Sequence, residues 1–544
     1  MILDLHSDLA AIALVPGVMQ RVETASYVAL WSGVIFISDL PPGRIAVDTF
    51  LFDLDPSEIQ NAAKMLKGVF FLAIQHKQSS RIHAFIDNSG LFKAFYTSTR
   101  IGDSFLELIA VENLCASEFE PARIIEFLEL GNIYFSRTFS EKIHKISHDD
   151  LLSISLSGRV ERRKKSLSKL SEPRFDKLPD VFQQLATSFR SETLSIDLTG
   201  GFDSRLVACL FAAAGLRFET ALSGSPSFAE FRIARLVAKR LGVPFFEYSP
   251  PLQVRASELD ELFDLTDGMS DLLQFRRIAR FQRDRMSRGV TLAISGMGGE
   301  MFKDFWWIHE FPFYKRKHSN IRRLFNLRIM PEQKTTGLLA EKLERERFGM
   351  KEEFIDRLES YIDIWNTRTY DNVSYLMKMQ EFAGCNLTKR FQVAGLQSYA
   401  PLLEYDVVRI AYSLPRTSRI FNSYHRALLS KCCPTVARIV TTEGFSASSK
   451  ITSLPVSALG YASNKARRLI TKMSQRLGGR ILFAPNSPDD PLIAGAVRAS
   501  PEFEVDLRYL KEVGIVSCGV DVRKIRSDLV GRLMTLARLH RRLS

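Results

Sequence analysis

Hydrophobic and polar residues follow two different rhythms along this chain, and the change falls near residue 160. Before it, Gly68–Ile74 is an unbroken apolar run of strand length, the pattern of a strand covered on both faces. Arg81–Ile86 alternates with period two. Asp87-Asn88-Ser89-Gly90 then places turn residues before Phe92–Tyr96, which predicts a hairpin. Leu151–Leu156 and the residues beyond the Ser157-Gly158 turn read as two further strands, so this part of the chain is expected to be β-rich. Ser157–Pro179 is polar, charged and aperiodic, and is the expected linker. Beyond it, the apolar run Leu194–Leu198 precedes a helical run, Arg205–Gly215. Phe228–Leu241 puts Phe231, Ala234, Val237, Ala238 and Leu241 on one helix face, stops at Gly242 and leads into extended Val243–Tyr248. Thr291–Ser295 is another strand. This alternation predicts a parallel, doubly wound sheet. From about residue 350 helical periods dominate, and Ile525, Leu529, Leu533, Leu536 and Leu543 form a stripe expected to face the core. No internal repeat or low-complexity tract interrupts the pattern.

Length adds that 544 residues exceed one ordinary core and imply two or three domains. Hydrophobic content of 46% and charged content of 25% are those of a soluble globular protein. No apolar run approaches the ~18 residues of a membrane span, and the acids in Met1–Asp8 do not suit a secretory signal, so cytoplasm is the expected location. Cys115, Cys209, Cys385, Cys432, Cys433 and Cys518 lack C-x-x-C spacing and read as buried, reduced thiols. The net charge of +13 invites a nucleic-acid reading, but the basic residues are scattered and no nucleic-acid-binding motif accompanies them. The local runs Arg162–Lys165, Lys315–Lys317 with Arg322-Arg323, and Arg541-Arg542 are expected to be solvated surface.

Chemistry concentrates at Thr199-Gly200-Gly201-Phe202-Asp203-Ser204, between the first strand and helix of the second half. A strand, a Gly-Gly turn and a helix opening on Asp and Ser direct backbone N–H groups and the positive helix end toward one anion. The spacing is not that of a Walker loop. It resembles the SGGxDS loop of the ATP pyrophosphatases, with Thr for the first Ser, where the loop grips the phosphates of ATP. Two later segments occur in matching order. Ile294–Phe302 is similar to the SGxGxDExF stretch of the asparagine synthetase family, and Tyr399–Asp406 with Ile410–Pro415 resembles its R-x-PFLD…LSLP stretch without the Arg. Lys67–Phe71, Ile86–Gly90, Arg137–Phe139 and Ile143–Ile146 resemble the family's glutaminase domain. The resemblance implies an α/β fold. A degenerate glutaminase-like domain over residues 1–165, an α/β sandwich of the N-terminal-nucleophile type, precedes a synthetase domain over 175–544, with a doubly wound parallel-sheet PP-loop core and a helical C-terminal part.

Departures from the family narrow the implied function. The glutaminase nucleophile is a Cys immediately after the initiator Met; here Ile2 occupies that place, so glutamine hydrolysis is not expected. The β-lactam synthetases and lasso-peptide macrocyclases also keep a dead glutaminase and couple a carboxylate to an amine. By resemblance, Thr199, Gly200, Gly201, Asp203, Ser204, Ser295 and Gly296 would bind the nucleotide, and Asp203 with Glu300 would hold Mg²⁺. Met297 replaces the family's catalytic residue between two glycines, and Asn422 falls where the family has a catalytic Lys. Arg426, Lys431 or Lys450 are candidates for the missing positive charge. Glu404 and Asp406 are expected to form a buried cap or ion pair. The implied function is an ATP- and Mg²⁺-dependent amide ligase that adenylates a small-molecule or peptide carboxylate for an amine or ammonia. A nucleotide-binding pseudoenzyme is the alternative, and a glutamine-hydrolysing asparagine synthase ranks below both. A homodimer stays open.

Overall fold

The structure is a computed structural model. It describes the chain except residues 5, 15–18, 156, 171, 226–227, 252, 304–319, 362–368, 377–379, 382–395 and most of 451–488. Lys315–Lys317 and Cys385 therefore lie outside the described residues.

The first half folds as two antiparallel sheets packed face to face. One has six strands in the order Val160–Lys164, Asp150–Ile154, Ile82–Ile86, Lys67–His76, Tyr27–Phe36, Met19–Glu23. The other has four short strands, Ile2–Leu3, Ile101–Gly102, Phe95–Tyr96 and His144–Lys145. Every residue of Tyr27–Phe36 is buried, because the pleat divides it between two cores. Val28, Leu30 and Val34 share a core with Leu3 and Ile101 of the second sheet, and Phe36 meets Phe189 (5.1 Å) and Tyr399 (5.5 Å) of the later half, whereas Tyr27, Ala29, Trp31 and Ile35 pack on Val47, Phe50 and Leu51 of the helix Arg44–Phe52. The apolar run at Gly68–Ile74 has the same cause: Val69, Phe71 and Ala73 serve one core, Phe70, Leu72 and Ile74 the other. Helices Phe105–Val111 and Pro121–Leu130 cover the four-stranded sheet, which completes an α/β sandwich.

Three expectations require correction. Of the described cysteines expected to be buried, only Cys209 is; Cys115 and Cys518 are exposed, and Cys432 and Cys433 half-buried. Ile82–Ile86 and Phe95–Tyr96 do not form a hairpin but belong to different sheets. The buried Asp87 carboxylate accepts hydrogen bonds from Ser89 N (3.1 Å), Leu91 N (3.0 Å) and Phe92 N (2.8 Å). It thereby takes the N–H groups a hairpin ladder would use and turns the chain from one sheet into the next. In the basic run Arg162–Lys165, Lys165 is not surface: it is buried, and its Nζ donates to Ile86 O (2.9 Å) and Asn88 Oδ1 (2.8 Å).

The second half contains the predicted parallel sheet. Its order is Phe245–Tyr248, Glu219–Ser223, Leu194–Asp197, Leu292–Ile294, Gln397–Tyr399, so strand order reverses between Leu194–Asp197 and Leu292–Ile294. The C-terminal helix Ser527–Arg542 buries Leu529, Leu533 and Leu536, as its stripe implied. They join one hydrophobic core with Ile125 and Leu128 of Pro121–Leu130, and Arg532 Nη1 donates to Leu128 O (2.7 Å) at the end of that helix. Among the described residues no helix is long and apolar enough to cross a membrane.

Glu404 joins the two halves. Its Oε2 accepts from Gly68 N (3.1 Å) and from the Tyr399 hydroxyl (3.0 Å), beside a small cavity whose lining includes Lys67, Arg174 and Asp406 together with Phe36, Val181 and Leu185. Asp406 is ion-paired with Arg174 at 2.6 Å. Burial raises the Glu404 carboxyl from 4.5 to about 7, with Lys67 opposing. Between those values the native state keeps a proton that the unfolded chain has released, so native stability falls as pH rises through this window. Glu404→Gln removes the titration. In urea denaturation the variant should gain on the wild type progressively between pH 4.5 and 7, by at most about 3 kcal/mol. A difference independent of pH contradicts the assignment.

Candidate nucleotide site

The strand Leu194–Asp197 delivers Thr199–Phe202 at its carboxyl end, where the helix Asp203–Ala213 begins. Hydroxyls close this loop: Ser204 Oγ accepts from Thr199 N at 2.9 Å and lies 2.9 Å from Thr199 Oγ1, which in turn accepts from Gly201 N at 3.3 Å. Arg205 lies beneath, fully buried, and donates to Ile439 O (2.6 Å) and Gly200 O (3.3 Å). Among the described residues no carboxylate pairs with it, and burial lowers it to about 10. It remains charged at neutral pH, directly under the loop.

Leu292–Ile294 delivers the second motif alongside. Ser295 N donates to Tyr399 O at 2.9 Å, extending the parallel ladder, and Ser295 Oγ accepts from Met297 N at 3.3 Å. A side chain on Gly296 would put Cβ 2.5 Å from Ser204 Cα, and one on Gly299 would put it 2.1 Å from Asp203 Cγ. The two motifs touch, and only glycine permits the contact. Met297 packs against the hydrophobic core and offers no proton-transferring group. Glu300, on the tight turn Gly299–Phe302, is half-buried, and its carboxylate makes no polar contact among the described residues.

Asp203 is the electrostatic centre. Lys303 Nζ lies 2.6 Å from its Oδ2. On the other side His425 Nε2 lies 2.9 Å from Oδ1, but off the hydrogen-bonding direction. Burial alone would raise the Asp203 carboxyl; the Lys303 ammonium outweighs it and holds the group well below the usual range. Burial pushes His425 below an ordinary imidazole, with Asp203 opposing, so the ring is neutral at pH 7. His425 is wedged edge-on between the Phe202 and Phe302 rings, at 6.3 and 6.2 Å.

Of the candidate cations, Arg426 comes nearest. It is buried, its guanidinium lies 5.6 Å from the centre of the Phe202 ring, and its Nε donates to Phe421 O at 3.0 Å. Lys431 and Lys450 are exposed, and neither pairs with Asp203. Asn422 holds a left-handed backbone (φ 59°) at the start of the helix Ser423–Cys432. The structure thus gathers Thr199, Gly200, Gly201, Asp203, Ser204, Ser295 and Gly296, with Glu300 on the adjoining turn. It adds three residues that sequence reasoning missed: Arg205, Lys303 and His425. Their nearest signal was adjacency to the motifs, since Lys303 follows Phe302 and His425 precedes Arg426.

These residues fall inside the segment 186–471, just over half of the chain, that matches the family model for asparagine synthase. The chain belongs to the asparagine synthase family. A comparison with curated proteins gave no match. This is a family of ATP-dependent amide ligases in which Mg²⁺ generally accompanies the nucleotide. Among the described residues no group of three or more His, Cys, Asp or Glu forms a metal site. A phosphate-bound Mg²⁺ needs only one or two carboxylates, however, and the buried Asp203 Oδ1, which lacks a directed hydrogen bond, fits that donor chemistry.

The glycine contact makes a local prediction for this asparagine synthase homologue. Gly296→Ala should cost about 1–3 kcal/mol by overpacking and weaken nucleotide binding. Gly349→Ala, on the exposed face of the helix Glu341–Tyr361 with nothing within 4 Å of the added carbon, should instead stabilise the protein, by about 0.5–1 kcal/mol. Thermal denaturation with and without Mg-ATP checks both; equal effects at the two glycines contradict the packing argument.

Proposed function

We propose that this protein is an AMP-forming amide ligase that adenylates a carboxylate and passes the acyl group to an amine or ammonia, without glutaminase activity of its own. The observation that carries the reading is the contact of Gly296 and Gly299 with Ser204 and Asp203 at the point where strand order reverses, which is where open α/β sheets bind ligands. There the N–H groups at the start of the helix Asp203–Ala213 would receive phosphate. Buried Arg205 adds positive charge from below, and Thr199 and Ser204 fix the loop's shape. Ser295 and Gly296 bound the nucleotide on the opposite side.

Asp203 and Glu300 would hold Mg²⁺, which when bound neutralises the departing pyrophosphate. Once that group leaves, the acyl-adenylate is open to attack by nitrogen, and the nucleophile's proton has to go elsewhere. Met297 cannot take it, and His425 faces Asp203. The incoming amine therefore has to arrive as the neutral base, and as the amide forms and AMP leaves it gives one proton to substrate or solvent.

We assign residues 1–165 to a glutaminase-like domain without its nucleophile and 175–544 to the synthetase. Ile2 pairs with Gly102 in the four-stranded sheet and supplies no thiol. Nucleotide binding without turnover is a second reading, favoured by Lys303 on the Asp203 carboxylate and by Met297.

With Mg-ATP and an accepted carboxylate, the protein should release pyrophosphate and AMP in equal amounts; formation of ADP contradicts adenylation. Asp203→Ala should lose the thermal stabilisation that Mg-ATP gives the wild type. An unchanged response in that variant removes Asp203 from the metal site.

A further inference from the structure

The chain's own cation neutralises Asp203 in the absence of nucleotide. Lys303 follows the turn Gly299–Phe302 directly, and its ammonium sits 2.6 Å from Asp203 Oδ2. Among the described residues the other cations nearby are committed elsewhere, Arg419 to Asp371 at 2.9 Å. Arg205 serves the carbonyls of Gly200 and Ile439, Arg426 lies over Phe202, and Lys431 and Lys450 are exposed.

We propose that Lys303 is a phosphate-binding residue, whose ammonium transfers from Asp203 to the β- and γ-phosphoryl oxygens that depart as pyrophosphate. The inference rests on the ATP-dependent reading above. Three observations support it. The ammonium lies at the amino end of Asp203–Ala213, where free N–H groups and the helix dipole attract the same anion. The Lys303 side chain is 20% exposed whereas His425, on the other carboxylate oxygen, is 0% exposed, so Lys303 approaches Asp203 from the open side. A flexible stem with three rotatable donors can exchange one anion for another without backbone movement. Charge would stay balanced: Asp203 and Glu300 would hold the divalent cation, and Lys303 would pair with the phosphates. No covalent bond forms or breaks.

The test titrates Mg-ATP and Mg-pyrophosphate calorimetrically into the full chain, its K303Q variant and its K303R variant. K303Q should bind both ligands at least about tenfold more weakly, the loss of one charge-assisted contact. K303R should stay within about threefold of the wild type. K303Q binding Mg-pyrophosphate as tightly as the wild type overturns the proposal. Absence of binding to the wild type overturns the ATP reading itself. A second measurement needs no charge-removing variant. Reductive ¹³C-methylation keeps lysine charge, and the Lys303 resonance, assigned by its absence from K303R, should shift when Mg-pyrophosphate is added to the wild type. A resonance that does not move while the ligand binds overturns the proposal.

Discussion

Gly296 and Gly299 lie against the first residues of the helix Asp203–Ala213 with no room for a side chain between them, and the chemistry of the site depends on that contact. Neighbouring parallel strands stand about 4.8 Å apart, so loops leaving Leu194–Asp197 and Leu292–Ile294 at the same sheet edge must either diverge or touch. Glycine lets them touch. Asp203, at the start of its helix, is then brought beside Glu300 and Lys303. A methyl group at either glycine would separate the anion-binding backbone from the carboxylates.

Around that contact the charges are arranged to receive an anion. Among the described residues no carboxylate pairs with buried Arg205, an arrangement that costs free energy unless another negative charge is close. Lys303 places a second positive charge at the helix start, and neutral His425 adds none. Asp203 is the opposing charge, and it is the group expected to take a metal. The protein thus resembles a phosphate site with its counter-charges already folded into place, which lowers the reorganisation needed on binding.

Much of the fold was legible because period and turn chemistry agreed. The Gly-Gly loop, the strands beside it and the Leu529–Leu536 stripe follow from local patterns, and the core covers them as those patterns imply. The apolar run at Gly68–Ile74 revealed a buried strand but not that odd and even residues serve different cores, since alternation disappears when both faces are covered. Asp87 misled for a physical reason: its carboxylate bonds to three N–H groups, so residues that look like a hairpin turn carry the chain between sheets. At the site, glycines and hydroxyls were readable because backbone approach demands those residue types. Lys303 and His425 were not, because their role comes from tertiary contact with Asp203 across about 100 and 220 residues of sequence. A search for a lysine placed as the family places it pointed to Asn422 while the charge sat at the end of the other motif.

The central claim is that Thr199–Ser204 holds the phosphates of ATP beside Asp203. It is tested most directly by a crystal structure with Mg²⁺ and α,β-methylene-ATP, which cannot be cleaved at the bond that adenylation breaks. The account predicts phosphate oxygens on the N–H groups of the loop and the first turn of Asp203–Ala213, with the metal on Asp203. A nucleotide seated elsewhere, or Asp203 still paired with Lys303 beneath an empty loop at saturating ligand, would contradict it.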